Sequence, residues 1–451
     1  MRKSSTILAL AAALALLAIG AVSAQAKTGL SQAREFVPRE LVVKFEGQPA
    51  GRTLTLPAGV GVRRAAVALR GNPKVEYAEP NYIATASAVE GEAGLVVPND
   101  PGTLGGASEA AATLGDWALK QWNFLGWEEA PNQDLPTSPG GIDAVAAWQN
   151  LVLAGRPGAE GVTVAVLDTG IAYRPQGTSF LRSPDFASGQ FAKGHDFVDG
   201  DRLPLDENGH GTHIAGTIAE KTDNGVALTG LAYRAKLMPV RVLDKRGRGD
   251  ATAIARGIRF AIAHRAQVIN MSFNFGCGKK VPVVDEALRE AYARGVVTIA
   301  SAGNLGSETC VSAPATGPRV IAVGGTTEGA CLGSYSLAGA AIDLVAPGGG
   351  IPLAGCPSVS ARPIYQVTLK AGSTDLFGIP SNYVGTSMAA AHVSGVAALV
   401  LASGVIPRTA PKTRVDDVTK RLRRTSRSLG LPATQQGAGL IDAAAATDPA
   451  A

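Results

Sequence analysis

The clearest pattern along the chain is a series of short apolar runs after residue 160, each bounded by glycine or polar residues. Continuous runs of this kind are typical of strands in a parallel sheet that is covered on both faces. Amphipathic stretches between some of the runs predict helices at Ala251–His264 and Val284–Arg294. The alternation predicts an α/β fold with right-handed crossovers and helices on both faces. The apolar runs are Val162–Leu167, Leu237–Leu243, Val268–Met271, Val296–Ala300, Val320–Val323 and Ile342–Val345.

A smaller unit is predicted nearer the N-terminus. Phe36–Phe45 contains a strand-like run, Ala65–Leu69 could begin a short helix, and Val75–Ala78 alternates like a second strand. The stretches Thr85–Gly115 and Glu128–Gly141 lack periodicity and are rich in turn-forming or small residues, which is typical of linkers and loops. The pattern therefore predicts a small α+β domain, a linker and one large α/β domain.

The first 26 residues carry an export pattern. Two basic residues precede an apolar run from Ile7 to Val22, and small residues follow it. This arrangement describes a secretory signal peptide over residues 1–26, with cleavage near Ala24 or Ala26. The alternative is a transmembrane anchor, for which the run is slightly short. No second apolar run is uninterrupted enough to span a bilayer, so we expect a secreted, extracellular protein that has no membrane attachment after signal removal.

Composition and charge narrow the choice of partners. The chain is 46% hydrophobic and 18% charged, as in globular proteins. Its formal net charge of +5 lies mostly in residues 1–85, which hold 11 Lys/Arg and 5 Asp/Glu, whereas the remainder holds 31 and 32. One basic cluster, Lys420–Arg424 with Arg427, overlaps apolar residues at helical spacing from Val415 to Leu422, so we interpret it as a solvated helix face. We therefore expect no nucleic-acid partner.

Four cysteines, all in the second half of the chain, indicate two disulfide bonds. An even count in an exported chain favours disulfides, and neither a Cys-x-x-Cys spacing nor a nearby histidine pair indicates a zinc site. The sequence alone does not choose among the three pairings. Our hypothesis is Cys277–Cys310 and Cys331–Cys356, because each pair brackets one strand-containing stretch.

Three segments place reactive residue types in settings that suit catalysis. Asp168 follows an apolar strand, at the carboxyl end where sites gather in open α/β sheets. His210 lies among glycines before a helix-compatible run, and Ser387 precedes an Ala-rich helix whose N-terminus favours negative charge. Singly, each residue has an ordinary explanation as a turn or a helix cap. Together, in the order Asp, His, Ser, they match one known order of a serine-protease triad.

The three motifs resemble those of the subtilases, the subtilisin-like serine proteases. The resemblance runs from Lys120–Asn123 to Gly437–Ala444, nearly the whole mature chain. It implies a subtilisin-like catalytic domain over residues 120–446 that hydrolyses peptide bonds through an acyl-enzyme, with no cofactor for catalysis. His210 would act as the base for Ser387, while the aspartate would hold the imidazole in the correct tautomer.

The resemblance also implies an oxyanion hole and a substrate cleft. Asn304, in a Ser-Ala-Gly-Asn segment, would donate its side-chain amide to the oxyanion. A peptide substrate would pair as an extra strand. Asn274 stands where the family usually has glycine, which leaves the shape of the S1 pocket open. The residues implied for substrate binding are Gly247, Arg248, Gly249, Ser272, Phe273, Asn274, Ala302 and Gly303.

Residues 27–87 are similar to a subtilase propeptide, notably in Asn72–Tyr82. In the family such a domain assists folding and then inhibits, because its C-terminal strand stays in the active site. The resemblance implies a zymogen processed after Ser87, with a linker and N-terminal extension over residues 88–119. We expect protein or peptide substrates, the chain's own propeptide as inhibitor, and a monomer.

Two acidic loops are candidates for structural calcium. Asp199, Asp201 and Asp206 lie around a glycine, and hard cations favour clusters of carboxylate oxygens. Asp223 and Asn224 lie in a loop where subtilases often bind calcium. Because acidic surface loops are commonly only solvated, calcium stays a hypothesis at both.

Two other classes of function compete with this interpretation. A catalytically silent protein could keep the fold as a binding module, but the complete triad and Asn304 argue against it. A lipase or esterase of the α/β-hydrolase type would need Gly-x-Ser-x-Gly and the chain order Ser, Asp, His. This sequence has neither feature around Ser387.

Overall fold

The structure is a computed structural model that describes residues 36–86, 89–90, 117–128, 135–222, 224, 226–306, 310–407 and 409–451. The predicted signal peptide, most of the predicted linker, Ser87 and Asp223 lie outside the described residues. The strands are β1 Phe36–Phe45, β2 Arg52–Thr55, β3 Val75–Ala86, β4 Val89–Glu90, β5 Thr163–Asp168, β6 His195–Asp196, β7 Lys236–Arg241, β8 Arg248–Asp250, β9 Val268–Met271, β10 Phe273–Asn274, β11 Val297–Ser301, β12 Val320–Thr326, β13 Leu344–Pro347, β14 Thr368–Leu369, β15 Phe377–Gly378 and β16 Tyr383–Val384. The α-helices are α1 Val62–Arg70, α2 Trp117–Lys120, α3 Ala144–Leu153, α4 His210–Ala219, α5 Ala251–Ala263, α6 Pro282–Ala293, α7 Thr386–Ser403, α8 Pro411–Arg424, α9 Ala433–Gln436 and α10 Ala443–Thr447.

A seven-stranded parallel sheet forms the centre of the larger part, in the order β13-β12-β11-β9-β5-β7-β6. Each of the six predicted apolar runs forms one of its strands, with bounds that differ by a few residues. The runs are continuous because both faces of the sheet are buried. Only β6 was not predicted, since its two residues are too few to carry a pattern. The predicted α/β fold is confirmed.

Helices cover both faces of this sheet. Along β5, Val164 and Val166 point into a core shared with α3, α4 and α7, whereas Ala165 and Leu167 point into a core shared with α5 and α6. Within the described residues, α7 is long and apolar enough to cross a membrane, and 83% of it is buried inside the protein. The position of this helix in the core, packed against the sheet, therefore explains its uninterrupted apolar composition.

The smaller N-terminal unit is an antiparallel sheet, in which β1 pairs with both β2 and β3, and it packs on α1. Leu41, Val43 and Leu56 are among the buried residues of its own core. The α+β expectation is confirmed. Sequence analysis missed β2, because Arg52–Thr55 contains a single large apolar residue.

The two parts of the protein meet along β3. This strand continues through Ala86 and pairs with β8 and β10 of the larger part. The prediction that a linker begins at Thr85 is therefore wrong for its first residues, which lie in a strand. Lys44 forms an ion pair with Glu286 at 2.9 Å, and the Tyr77 hydroxyl donates to the same carboxylate at 3.1 Å.

Both disulfides of the hypothesis are present, between Cys277 and Cys310 and between Cys331 and Cys356.

The basic cluster near the C-terminus was predicted to form a solvated helix face, and one of its residues does not fit that prediction. Arg421 is buried and donates from Nε to the carbonyl of Ala446 at 3.0 Å. Its guanidinium thus satisfies carbonyls at the C-terminal end of α10 rather than meeting solvent.

Candidate active site

The three residues of the predicted triad converge at the carboxyl edge of the parallel sheet. Asp168 is the last residue of β5, His210 the first of α4 and Ser387 the second of α7. The Nδ1 atom of His210 lies 2.8 Å from Oδ1 of Asp168, and all three side chains are buried. The backbone N–H of Thr169 donates to the same aspartate oxygen at 2.7 Å, which fixes the carboxylate.

The hydroxyl of Ser387 donates to the carbonyl of Ser272 at 3.1 Å. In return the Ser272 hydroxyl donates to the carbonyl of Ser387 at 2.9 Å. Among the described residues, Nε2 of His210 has no hydrogen-bond partner, so the serine-to-histidine hydrogen bond is not formed in this conformation. Catalytic hydrogen bonds of this kind are often loose before a substrate binds.

Asn304 is held by the residue that precedes Ser387. Its Oδ1 atom accepts from the backbone N–H of Thr386 at 2.9 Å and from the Thr386 hydroxyl at 2.8 Å. Because the carbonyl side of the amide is fixed, its NH₂ group is directed to the other side. Gly303 has φ +113°, a conformation open to glycine, and this turns the chain between β11 and Asn304. Sequence analysis missed the part played by Thr386.

Most of the residues predicted to bind substrate lie on or next to β8 and β10, and β3 lies between these two strands. Residue 85 pairs with Arg248 of β8 on one side and with Asn274 of β10 on the other, and residue 86 pairs with Phe273. Gly247 immediately precedes β8, Ser272 precedes β10, and Ala302 and Gly303 follow β11. The end of β3 is therefore the middle strand of a three-stranded antiparallel arrangement.

A second pairing lies on the other side of Ser387. There β4 pairs with β16 in antiparallel register, with Val89 opposite Val384 and Glu90 opposite Tyr383. Residues 83–86 thus pair with β8 and β10, and residues 89–90 pair with β16, which ends three residues before Ser387. Nothing in the sequence pattern of Val89–Glu90 indicated a strand.

Comparison with known proteins agrees with this geometry. Residues 159–439 match the model of the family described as Peptidase_S8, the subtilase family. The chain belongs to the subtilase family. It is similar to the thermophilic serine proteinase of Bacillus sp. (strain AK1), with 33% identity over 337 residues, covering 75% of this chain and 66% of that protein. It is also similar to subtilisin BL of Lederbergia lenta, with 35% identity over 315 residues, covering 70% of this chain and 99% of that protein.

One solved structure and one further relative by sequence extend the likeness. A protease from Pseudoalteromonas arctica PAMC 21717 matches with a TM-score of 0.57 and 32% identity, covering 69% of this chain and 95% of that one. Thermitase of Thermoactinomyces vulgaris is 35% identical over 266 residues, covering 59% of this chain and 82% of that protein. These findings identify this subtilase as a serine endopeptidase.

The first calcium candidate of this subtilase does not fit a metal ion. Asp199 forms an ion pair with Arg241 at 2.6 Å, whereas Asp201 accepts the backbone N–H of Leu203 at 2.7 Å. Throughout the part of the chain that the structure describes, no three His, Cys, Asp or Glu side chains form a group that could hold a metal ion. The structure therefore does not confirm calcium at Asp199, Asp201 and Asp206, because the three carboxylates serve separate contacts.

Asp206 instead joins the two elements that carry the catalytic pair. Its Oδ1 atom accepts from the Thr169 hydroxyl at 2.8 Å and from the backbone N–H groups of Asn208 and Gly209 at 2.9 and 3.0 Å. Its Oδ2 atom accepts from the backbone N–H and the hydroxyl of Thr212, at 3.0 and 2.6 Å. One buried carboxylate thus connects the end of β5 to the first turn of α4.

The second calcium candidate keeps suitable oxygen atoms, although Asp223 lies outside the described residues. Asn224 donates from Nδ2 to Asp185 at 2.7 Å. Glu220, directly after α4, is fully buried. Among the described residues the backbone N–H of Val367 faces its carboxylate, but neither oxygen is within good hydrogen-bond geometry of a donor. Burial raises the pKa of Asp185 to about 7. Burial and then the charge of Asp185 raise the pKa of Glu220 well above its usual range.

Two further histidines near the site have structural roles. His213 approaches the carbonyl of Ile364 through Nε2 at 3.0 Å, and His392 approaches the carbonyl of Met388 through Nδ1 at 2.7 Å. Burial lowers the pKa of His213 to about 3 and that of His392 to about 4. Both rings are therefore neutral near pH 7, with nitrogen atoms committed to local contacts.

The bridging role of Asp206 predicts that its replacement lowers the stability of the protein and that added calcium does not restore it. Asp206→Asn removes the charge and turns an amide N–H towards groups that must donate. We expect the free energy of unfolding to fall by about 2–3 kcal/mol, measured by denaturant unfolding in a Ser387→Ala background that prevents autolysis.

The matched control is Asp201→Asn, since this carboxylate is exposed and makes a local backbone contact. We expect it to change stability by no more than about 0.5 kcal/mol. Equal stability of the two variants, or recovery of Asp206→Asn on adding calcium, would contradict the bridging role.

Proposed function

We propose that this subtilase is exported as a zymogen, cleaves off its own N-terminal domain and then hydrolyses extracellular proteins or peptides. The observation that carries the proposal is the course of the chain past Ser387. Residues 83–86 pair with β8 and β10 before the serine, and residues 89–90 pair with β16 beyond it. A substrate held by strand pairing would follow the same path.

The proposed chemistry assigns one task to each polar group. Ser387 attacks the peptide carbonyl while Nε2 of His210 takes its proton, and the histidine later gives that proton to the leaving amine. The contact between His210 Nδ1 and Asp168 keeps the proton of the neutral ring on Nδ1, which leaves Nε2 as the base. Aspartate then stabilises the imidazolium that forms.

The oxyanion formed in the tetrahedral intermediate needs donors that are fixed in advance. We assign this task to the Asn304 NH₂ group and to the backbone N–H of Ser387 near the N-terminus of α7. The hydrogen bonds from Thr386 to Asn304 Oδ1 support the assignment, because they orient the amide without substrate.

The register of the two pairings supports a processed bond in the segment between residues 86 and 89. Cleavage after Ser87 satisfies this limit. It divides the chain into a signal peptide at 1–26, a propeptide at 27–87, a linker and N-terminal extension at 88–119 and a catalytic domain at 120–446. A tethered strand has a high effective concentration at the site, which favours cleavage within the same molecule.

Contacts outside the cleft support the propeptide as an inhibitor that stays bound after cleavage. Glu79 accepts the backbone N–H of Val283 at 3.3 Å, at the N-terminal end of α6, and burial raises the pKa of this glutamate to about 8. Asn81 accepts the hydroxyl of Thr252, in the first turn of α5, at 3.3 Å. These contacts hold the domain on two helix ends while its last strand fills the cleft.

We also propose a calcium ion at the loop that follows α4. The carboxylates of Asp185 and Glu220, with Asp223 and Asn224, would hold it, because calcium prefers such oxygen ligands. The support is Glu220, since a buried carboxylate without a partner is costly unless it is protonated or bound to a cation. Bound calcium would supply charge balance and loop stability and would take no part in the chemistry.

Maturation tests the zymogen proposal. The Ser387→Ala chain, expressed without other proteases, should keep residues 27–87 attached, whereas the parent chain should begin at Ala88. N-terminal sequencing of both exported proteins decides it, and it also locates the signal cleavage. Ser403→Ala, at the other end of α7, is the control and should mature normally. Processing of Ser387→Ala at the same bond would show that another protease acts.

The oxyanion assignment predicts a loss confined to the chemical step. We expect Asn304→Ala to lower kcat by about 10²- to 10³-fold with little change in KM, the loss known for such a donor in a subtilisin. Steady-state kinetics with active-site titration measures both constants. Thr386→Ser keeps the hydroxyl that orients the amide and should stay near parental kcat. A change in KM alone for Asn304→Ala would refute the assignment.

Calcium binding predicts a melting temperature that depends on the ion, because a ligand of the folded state raises the midpoint. Chelator should lower the melting temperature of the Ser387→Ala protein. The same protein carrying Glu220→Gln should melt at one temperature with and without chelator. If chelator leaves the first protein unchanged, or if both proteins respond equally, the proposed site is wrong.

A further inference from the structure

Strand β8 presents one basic side chain beside the substrate path. Gly249 cannot be replaced, because a Cβ there would lie 2.0 Å from the carbonyl oxygen of Val242. Gly247 has φ +68°, which favours glycine. Backbone geometry thus requires glycine at both ends of the Gly-Arg-Gly segment. It does not require any particular residue at the position of Arg248.

Two carboxylates close to Arg246 and Arg248 in the sequence accept hydrogen bonds from backbone amides. Asp244 accepts the N–H groups of Arg246 and Arg248 through Oδ1, at 2.8 and 3.0 Å. Asp250 accepts the N–H groups of Thr252 and Ala253 at the start of α5, at 2.8 and 2.9 Å. Their orientation is therefore set by a turn and a helix cap rather than by the arginine side chains.

Arg246 and Arg248 line one cavity of about 300 Å³ together with Asp244 and Asp250, and its wall on the propeptide side includes Val37 and Ile83. Arg246 is exposed and Arg248 partly so. If the propeptide departs, this wall departs with it, and both guanidinium groups then border the open substrate path.

We propose that Arg248, assisted by Arg246, makes this subtilase prefer substrates with Asp or Glu at the third residue before the cleaved bond. The proposal rests on the proposed function, because residue 85 occupies that position if cleavage follows Ser87. Directly opposite residues of an antiparallel pair project to the same face, about 5 Å apart at Cβ. A substrate residue in the register of residue 85 therefore projects beside Arg248.

The expected preference is modest, since the site is partly exposed and the pair is screened by salt. We expect about a two- to fivefold advantage in kcat/KM, the range typical of an exposed ion pair. The chain's own residue at this position is the neutral Thr85. The preference therefore acts on later substrates and leaves maturation unaffected.

The test uses the mature enzyme and internally quenched peptides built on residues 83–90, Ile-Ala-X-Ala-Ser-Ala-Val-Glu, with Glu, Gln or Lys at X. At low salt we expect kcat/KM to rank Glu above Gln above Lys. Arg248→Gln should make the kcat/KM values of the three peptides similar. Arg248→Glu should reverse their order, and Arg248→Lys should keep it. The preference is read within each enzyme, as the ratio of kcat/KM for the Glu peptide to that for the Lys peptide, so a general loss of activity in a variant does not affect it.

Equal cleavage of the Glu and Lys peptides by the parent enzyme would overturn the proposal. A preference for Glu that persists in Arg248→Glu would overturn it as well, because the selective charge would then lie elsewhere. Failure of the proposed function is distinguishable: no peptide would be cleaved, or all would be cleaved at another bond, as product mass would show.

Discussion

The carboxylate of Asp206 accepts five hydrogen bonds, and they join the end of β5 to the start of α4. The contact between Asp168 and His210 depends on this link, since each residue is carried by one of the joined elements. A buried carboxylate is costly unless its oxygens are satisfied, and here backbone amides and two threonine hydroxyls do so. Catalytic geometry at this edge therefore relies on a residue that takes no part in the reaction.

Ser387 reaches the same edge from the opposite direction, on α7, through the core. The helix is buried along most of its length, so its position is set by packing against the sheet. Thr386 then couples the helix start to Asn304, at the end of the segment that follows β11. The proposed nucleophile and the proposed oxyanion donor are thus positioned together, and a shift of the helix would displace both.

The cleft itself is an incomplete sheet. Strands β8 and β10 lie apart, and β3 fills the space between them, with β4 and β16 continuing the pairing beyond Ser387. Backbone hydrogen bonds of this kind accept many sequences, because they do not read side chains. Selectivity must therefore come from side chains beside the strand, and Arg248 is placed to supply it.

Local sequence patterns were enough to predict the parallel strands, the candidate triad and the small α+β unit. These follow from local patterns, since a run such as Val162–Leu167 records burial of one segment. Which polar groups meet depends on the folded chain. The fold joins Asp206 to Thr169 and brings Asp185 close enough to Glu220 to affect its ionisation. Residues distant along the chain make these contacts, and the packing of strands and helices sets them, so no local pattern records them.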